Sequence, residues 1–170
     1  MTAKRYQARD RIHFDPALSV SVDDYALFAT PRVSCQIDRA DLLHLEGAST
    51  PLNVWPITGD NGSAFLLMED VPEATWFLFR LMAESRHDHS EPDWLKQDDY
   101  AVTTPTGQLA QFSFYSSPLL ARLGADDVLM RFYTRTVADT EEFLWIILKN
   151  DEWVEHWVGI IINPAQILPG

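Results

Sequence analysis

Residues 128–162 read VLMRFYTRTVADTEEFLWIILKNDEWVEHWVGIII. Three runs, Val128 to Val137, Glu142 to Leu148 and Trp153 to Ile162, are rich in β-branched and aromatic residues, which suit a pleated, half-covered surface. The connections, Ala138 to Glu141 and Lys149 to Glu152, have hairpin length. An antiparallel meander follows. Its middle run is apolar at odd positions (Phe143, Trp145, Ile147) and at even ones (Leu144, Ile146, Leu148), as a central strand covered on both faces requires.

Upstream of the meander the reading alternates between strands and helices. Arg32 to Ile37 alternates with period two and predicts a strand. Asp38 then reads as the N-cap of a short helix through Leu42, Leu43 and Leu45 that ends at Gly47. Leu52 to Ile57 reads as a strand that Pro56 confines to an edge or a bulge. Thr58 to Gly62 is a dense turn signal, and Ser63 to Met68 returns as the next strand. Over 72–85 the spacing predicts a long helix: Asp70 caps it, Pro72 and Glu73 suit its first turn, and no breaker interrupts Ala74 to Ser85. It is apolar almost all round, with Glu73, Arg80 and Glu84 as its polar stripe. Such a helix is buried on two sides, or carries a contact with a second copy of the chain. Tyr100 to Thr104 and Gln108 to Ser116 bracket Pro105–Thr106–Gly107 as a hairpin, and Ser117–Pro118 opens a short helix over Leu119 to Leu123. The expected fold is therefore α+β: a mostly antiparallel sheet packed with a long apolar helix and short helices.

The chain fits one domain over residues 1–170, with 1–12 as a flexible basic arm. That arm has a net charge of +3, which leaves −15 on the rest against −12 for the whole. A body this acidic repels phosphate backbones, so direct nucleic-acid binding is not expected. It favours steering toward a basic protein partner. One cysteine, Cys35, rules out an intramolecular disulfide framework and suits a reducing compartment. The N-terminus lacks an apolar signal core, and the longest apolar run, Phe143 to Leu148, is too short to span a bilayer as a helix. A cytoplasmic location, no membrane contact and no cofactor are the corresponding expectations.

No dinucleotide-binding fingerprint, phosphate loop, nucleophile elbow or zinc-protease helix motif occurs. Candidate chemistry is therefore local. His87, His89 and Asp93 offer a divalent metal mixed nitrogen and oxygen ligands, although the same segment reads as a charged solvated connection. Arg131, Tyr133 and Arg135 alternate and so share a face. They suit clamping of a carboxylate or phosphate, or pairing with acids such as Glu141, Glu142 and Glu155 across the sheet. His156 joins this group as a titratable residue. Cys35 is a nucleophile only with an activating base such as His44 beside it; otherwise it is a small core residue. The reading these observations favour is a non-enzymatic acidic module of inhibitor, immunity or adaptor type. Its contact surfaces are the connection bearing Glu91, Asp93, Trp94, Asp98 and Asp99, and a tip formed by Asp139, Glu141, Asp151 and Glu152. The alternatives are a small-ligand or metal-dependent enzyme on the Arg131, Tyr133, Arg135 and His156 face, and a subunit of a larger assembly.

Overall fold

A strand that is apolar at both parities needs cover on two sides, and closing the sheet on itself supplies one of them. The computed structural model describes residues 6–16, 18, 32–45, 49–71, 73–86, 101–102, 108–112, 128–137, 140–149 and 153–170. Its strands in chain order are β1 (Arg11–Phe14), β2 (Cys35–Ile37), β3 (Asp41–Leu45), β4 (Leu52–Gly59), β5 (Ala64–Asp70) and β6 (Thr75–Arg86). These are followed by β7 (Ala101–Val102), β8 (Gln108–Phe112), β9 (Val128–Val137), β10 (Thr140–Lys149), β11 (Trp153–Ile162) and β12 (Ile167–Pro169). All of their pairings are antiparallel.

Following hydrogen-bonded neighbours from β4 through β3, β8, β9, β10, β11, β6 and β5 leads back to β4. The result is a closed antiparallel barrel of eight strand positions, which removes most of the exposed sheet edge. β2 and β3 lie along one edge of β4, and β7 and β8 along one edge of β9. Pro56 explains the break between β2 and β3. Its carbonyl accepts from the Asp38 N–H at 2.8 Å, and the N–H that proline lacks would point to that same side, where no ladder residue stands. β4 itself is paired on both sides, so the edge position expected from Pro56 does not hold; the discontinuity falls between its neighbours β2 and β3.

At that break the sheet forks. β3 continues the barrel, whereas β2 pairs with β1, which pairs with β12. This flap lies over the outer face of β4, β5, β6 and β11, burying Ile12, Phe14, Leu18 and Ile167 against Trp55, Leu67, Leu78 and Ile160. Trp55 and Trp76 stack at 5.4 Å, and the Tyr6 ring meets Trp55 edge-on at 5.4 Å. Asn163 and Gln166 form a reciprocal cap around the single 3-10 turn Pro164–Gln166, which reverses the chain into β12. The basic stretch 1–12 ends inside β1, where Arg11 meets Asp60 at 2.8 Å.

The α+β expectation fails at its longest element. Residues 72–85 do not form a helix; β6 runs from Thr75 to Arg86 as a strand. Its alternate residues Phe77, Phe79 and Leu81 belong to the barrel interior, and Trp76 and Leu78 lie beneath the flap. Being apolar all round is the same signature for a two-sided strand as for a buried helix, so periodicity does not separate them. Ala74, at the expected helix start, has φ of 53° and closes a turn onto the Val71 carbonyl. The contact between copies assigned to helix 72–85 loses its element. The short helix after Asp38 is strand β3 instead; the Asp38 carboxylate accepts from the Thr58 hydroxyl at 2.8 Å rather than capping a helix. Leu43 and Leu45, two apart, turn inward together. β7 and β8 pair with β9 and not with each other, so they are no hairpin. The short helix at Leu119 to Leu123 lies outside the described residues. The meander is as read: β9, β10 and β11 pair in order, with Trp145 facing Trp157 on one side and Phe132 on the other.

Candidate functional site

Inside the barrel, alternate residues of each strand form rows that face one another. Leu43, Val54, Leu66, Phe79, Trp145 and Trp157 pack one end into a solid core. Eight strands enclose an interior just wide enough to be filled by side chains or to hold one small ligand. This barrel does both. Toward the end where β5 turns into β6, packing gives way to a cavity of about 320 Å³.

Its wall comes from around the ring: Leu45 from β3, Leu52 from β4, Met68 and Asp70 from β5, Phe77 and Phe79 from β6, Thr134 from β9 and Phe143 from β10. Phe143 meets Phe77 edge-on at 5.5 Å, and Phe79 meets Trp145 at 5.5 Å, so the inner part is an aromatic cradle. Gly159 of β11 stands in register with Phe79, and a Cβ there would lie 2.4 Å from the Phe79 ring. Only glycine lets that ring lie flat against the backbone at this point. The polar groups on the wall are the half-buried Asp70 carboxylate and the Thr134 hydroxyl. At the same end Val71 and Ile161 are exposed large apolar residues. Ile161 pairs with Phe77 and thus belongs to the inner row, at the mouth.

Buried charge elsewhere is structural in character. Glu155 and Trp157 are consecutive members of the inner row of β11, and the Trp157 indole N–H donates to Glu155 at 3.0 Å. Asn53 donates to Glu69 at 3.1 Å. Burial raises the Asp38 carboxyl above its ordinary range, partly offset by the Thr58 hydrogen bond. Burial, followed by the nearby Asp60 charge, pushes the Cys35 thiol up to about 11. It stays protonated at neutral pH and cannot act as a nucleophile. Cys35 stands opposite Gly59 and Leu43 opposite Leu52, so most of the length of β4, ~20 Å at the strand rise, separates Cys35 from His44.

Only some of the candidates read from sequence fall among the described residues. Arg131, Tyr133 and Arg135 stand in register with Ile146, Leu144 and Glu142 of β10, on the outer row. His156 pairs with Ile146 too, so it shares the row of Arg131 with one strand between them. It is buried on the side of the sheet opposite to the cavity. Register puts Glu142, fully buried, directly across from Arg135, the cross-strand position expected of an internal partner. Glu141 is exposed at the start of β10. His87, His89, Glu91, Asp93, Trp94, Asp98 and Asp99 lie outside the described residues, as do Asp139, Asp151 and Glu152. Among the described residues no group of three or more His, Cys, Asp or Glu side chains is placed to hold a metal, and no helix is long and apolar enough to cross a membrane.

The cavity wall itself was missed in the sequence. Thr134 sits between Tyr133 and Arg135, on the opposite parity of β9, in register with Phe143. The usable signal was the alternation of Phe77, Phe79 and Leu81, which reads as an inward-facing strand row once residues 75–86 are extended. The chain matches no protein-family model, no curated protein and no solved structure.

Proposed function

We propose that this chain is a small-ligand-binding barrel whose lumen holds one compact, mainly apolar molecule. The observation that carries this is the cavity of about 320 Å³ between the inner faces of six strands. The space opens at the end of the barrel and is lined by side chains of six different strands. It falls within the range of small-molecule pockets, and its lining is of their kind: mostly aliphatic and aromatic, with few polar groups. By liquid volume it has room for about ten waters, and so for a ligand of roughly that many heavy atoms. Binding rather than catalysis is favoured because, among the described residues, Asp70 is the one titratable side chain on the wall.

Calorimetry with octan-1-ol tests this. The expected result is one site of micromolar to sub-millimolar affinity with a negative heat-capacity change, the mark of apolar burial. Thr134→Trp, which fills the lumen from β9, should weaken binding by at least about tenfold, ~1.4 kcal/mol. No heat from the unaltered protein, or equal binding by the filled variant, would refute a luminal site.

The charge of −15 on residues 13–170 supports a second reading, in which the acidic exterior docks on a basic protein. It is compatible with a luminal ligand, since the two use different surfaces. Reversing the charges of Asp98, Asp99, Asp151 and Glu152 should slow association with such a partner steeply at low salt. An association rate indifferent to those charges and to salt would remove this reading.

A further inference from the structure

Resting on the luminal reading above, we infer that the preferred occupant is a cationic amphiphile: an amine carried on a short alkyl or aryl body. The cavity is asymmetric in chemistry. Phe77, Phe79 and Phe143 make its apolar part, and Asp70 contributes a carboxylate from the last residue of β5. Thr134 adds a hydroxyl from β9. Both oxygens accept hydrogen bonds, and an ammonium group brings three donors and the opposite charge. Asp70 takes part in no ion pair or side-chain hydrogen bond among the described residues, so its acceptor capacity is unspent. Among the described residues no basic side chain occurs on the wall to receive an anion.

The surroundings reinforce the sign. Glu141 is exposed on the row of β10 that continues from Trp145 and Phe143 toward the mouth, in register with Thr136. A net charge of −12 draws cations toward the opening and repels carboxylates of equal length. A neutral apolar ligand gains from the aromatic part alone. An amine gains from that part and from a charge-assisted hydrogen bond at the rim, which is stronger than a neutral one.

The experiment is a calorimetric comparison of octylamine, octan-1-ol and octanoate at neutral pH and low salt, each below its aggregation limit, on the unaltered protein and on Asp70→Asn. Expected is one octylamine site, competed by octanol, about tenfold tighter than octanol itself, with octanoate weakest. Asp70→Asn should cancel the preference, so that octylamine and octanol bind that variant with equal affinity. Equal affinities for amine and alcohol in the unaltered protein, or an amine preference that survives Asp70→Asn, would overturn the cationic assignment and leave the luminal site standing. Silence from all three ligands would instead bring down the luminal site. Should Asp70→Asn fail to fold, the ranking of the three ligands on the unaltered protein and its weakening by salt decide the matter.

Discussion

Trp145→Ala should destabilise the chain by about 3–5 kcal/mol, the cost of truncating a large aromatic in a closed core. Trp145 is fully buried in the inner row of β10. Its ring lies 5.5 Å from that of Phe79 at an interplanar angle of 63°. Its register neighbours, Trp157 on β11 and Phe132 on β9, extend the same layer around the barrel. The surrounding strands are locked into a ring and cannot collapse into the space left behind, which places the cost toward the upper end of that range. The void would also open into the existing cavity, so octanol binding should survive while stability falls. Urea unfolding followed by circular dichroism measures the effect. A loss below about 1 kcal/mol would mean that this layer is not enclosed, and the closed barrel would be wrong. A typical domain has only about 5–15 kcal/mol of stability, so this one change removes a large part of it.

Two neighbouring substitutions, Leu78→Asp and Phe79→Asp, should each cost about 4 kcal/mol or more and leave little folded protein. Burying an unpaired carboxylate is among the few single changes with effects that large. Leu78 and Phe79 are both almost completely buried, yet they belong to different cores, one beneath the flap and one inside the barrel. An ordinary one-sided strand would tolerate a charge at one of the two positions. The measurement is the folded fraction of each variant in native buffer by near-ultraviolet circular dichroism. A well-folded Leu78→Asp would show that the flap does not cover β6, and a well-folded Phe79→Asp that the barrel interior is open there. Arg80→Asp, whose position on β6 is only half-buried, serves as the control for charge as such.

Much of the sheet was legible because its information is local. The β9–β10–β11 meander followed from residue type and connection length, and Asp60–Asn61–Gly62 announced a turn, realised with Gly62 at φ of 86°. In each case the deciding interaction spans a few residues, so the residues on either side carry it. The acid excess of the exterior is likewise a property of composition alone.

What the amino-acid order determined by itself, then, is a C-terminal meander whose middle strand is apolar at both parities, a turn whose chemistry is written in place, and an excess of negative charge. Tertiary structure alone decided that residues 75–86 extend rather than coil. For a segment apolar at every position, helix and strand bury the same residues, and the choice falls to neighbours, β5 and β11, that accept its hydrogen bonds on both edges. Tertiary structure also decided that the sheet closes, since closure depends on Leu43, His44 and Leu45 pairing with Ala110, Gln111 and Phe112, segments far apart in the chain. The cavity exists only after closure: its wall takes one or two residues from each of six strands, and no stretch of sequence holds enough of it to be read.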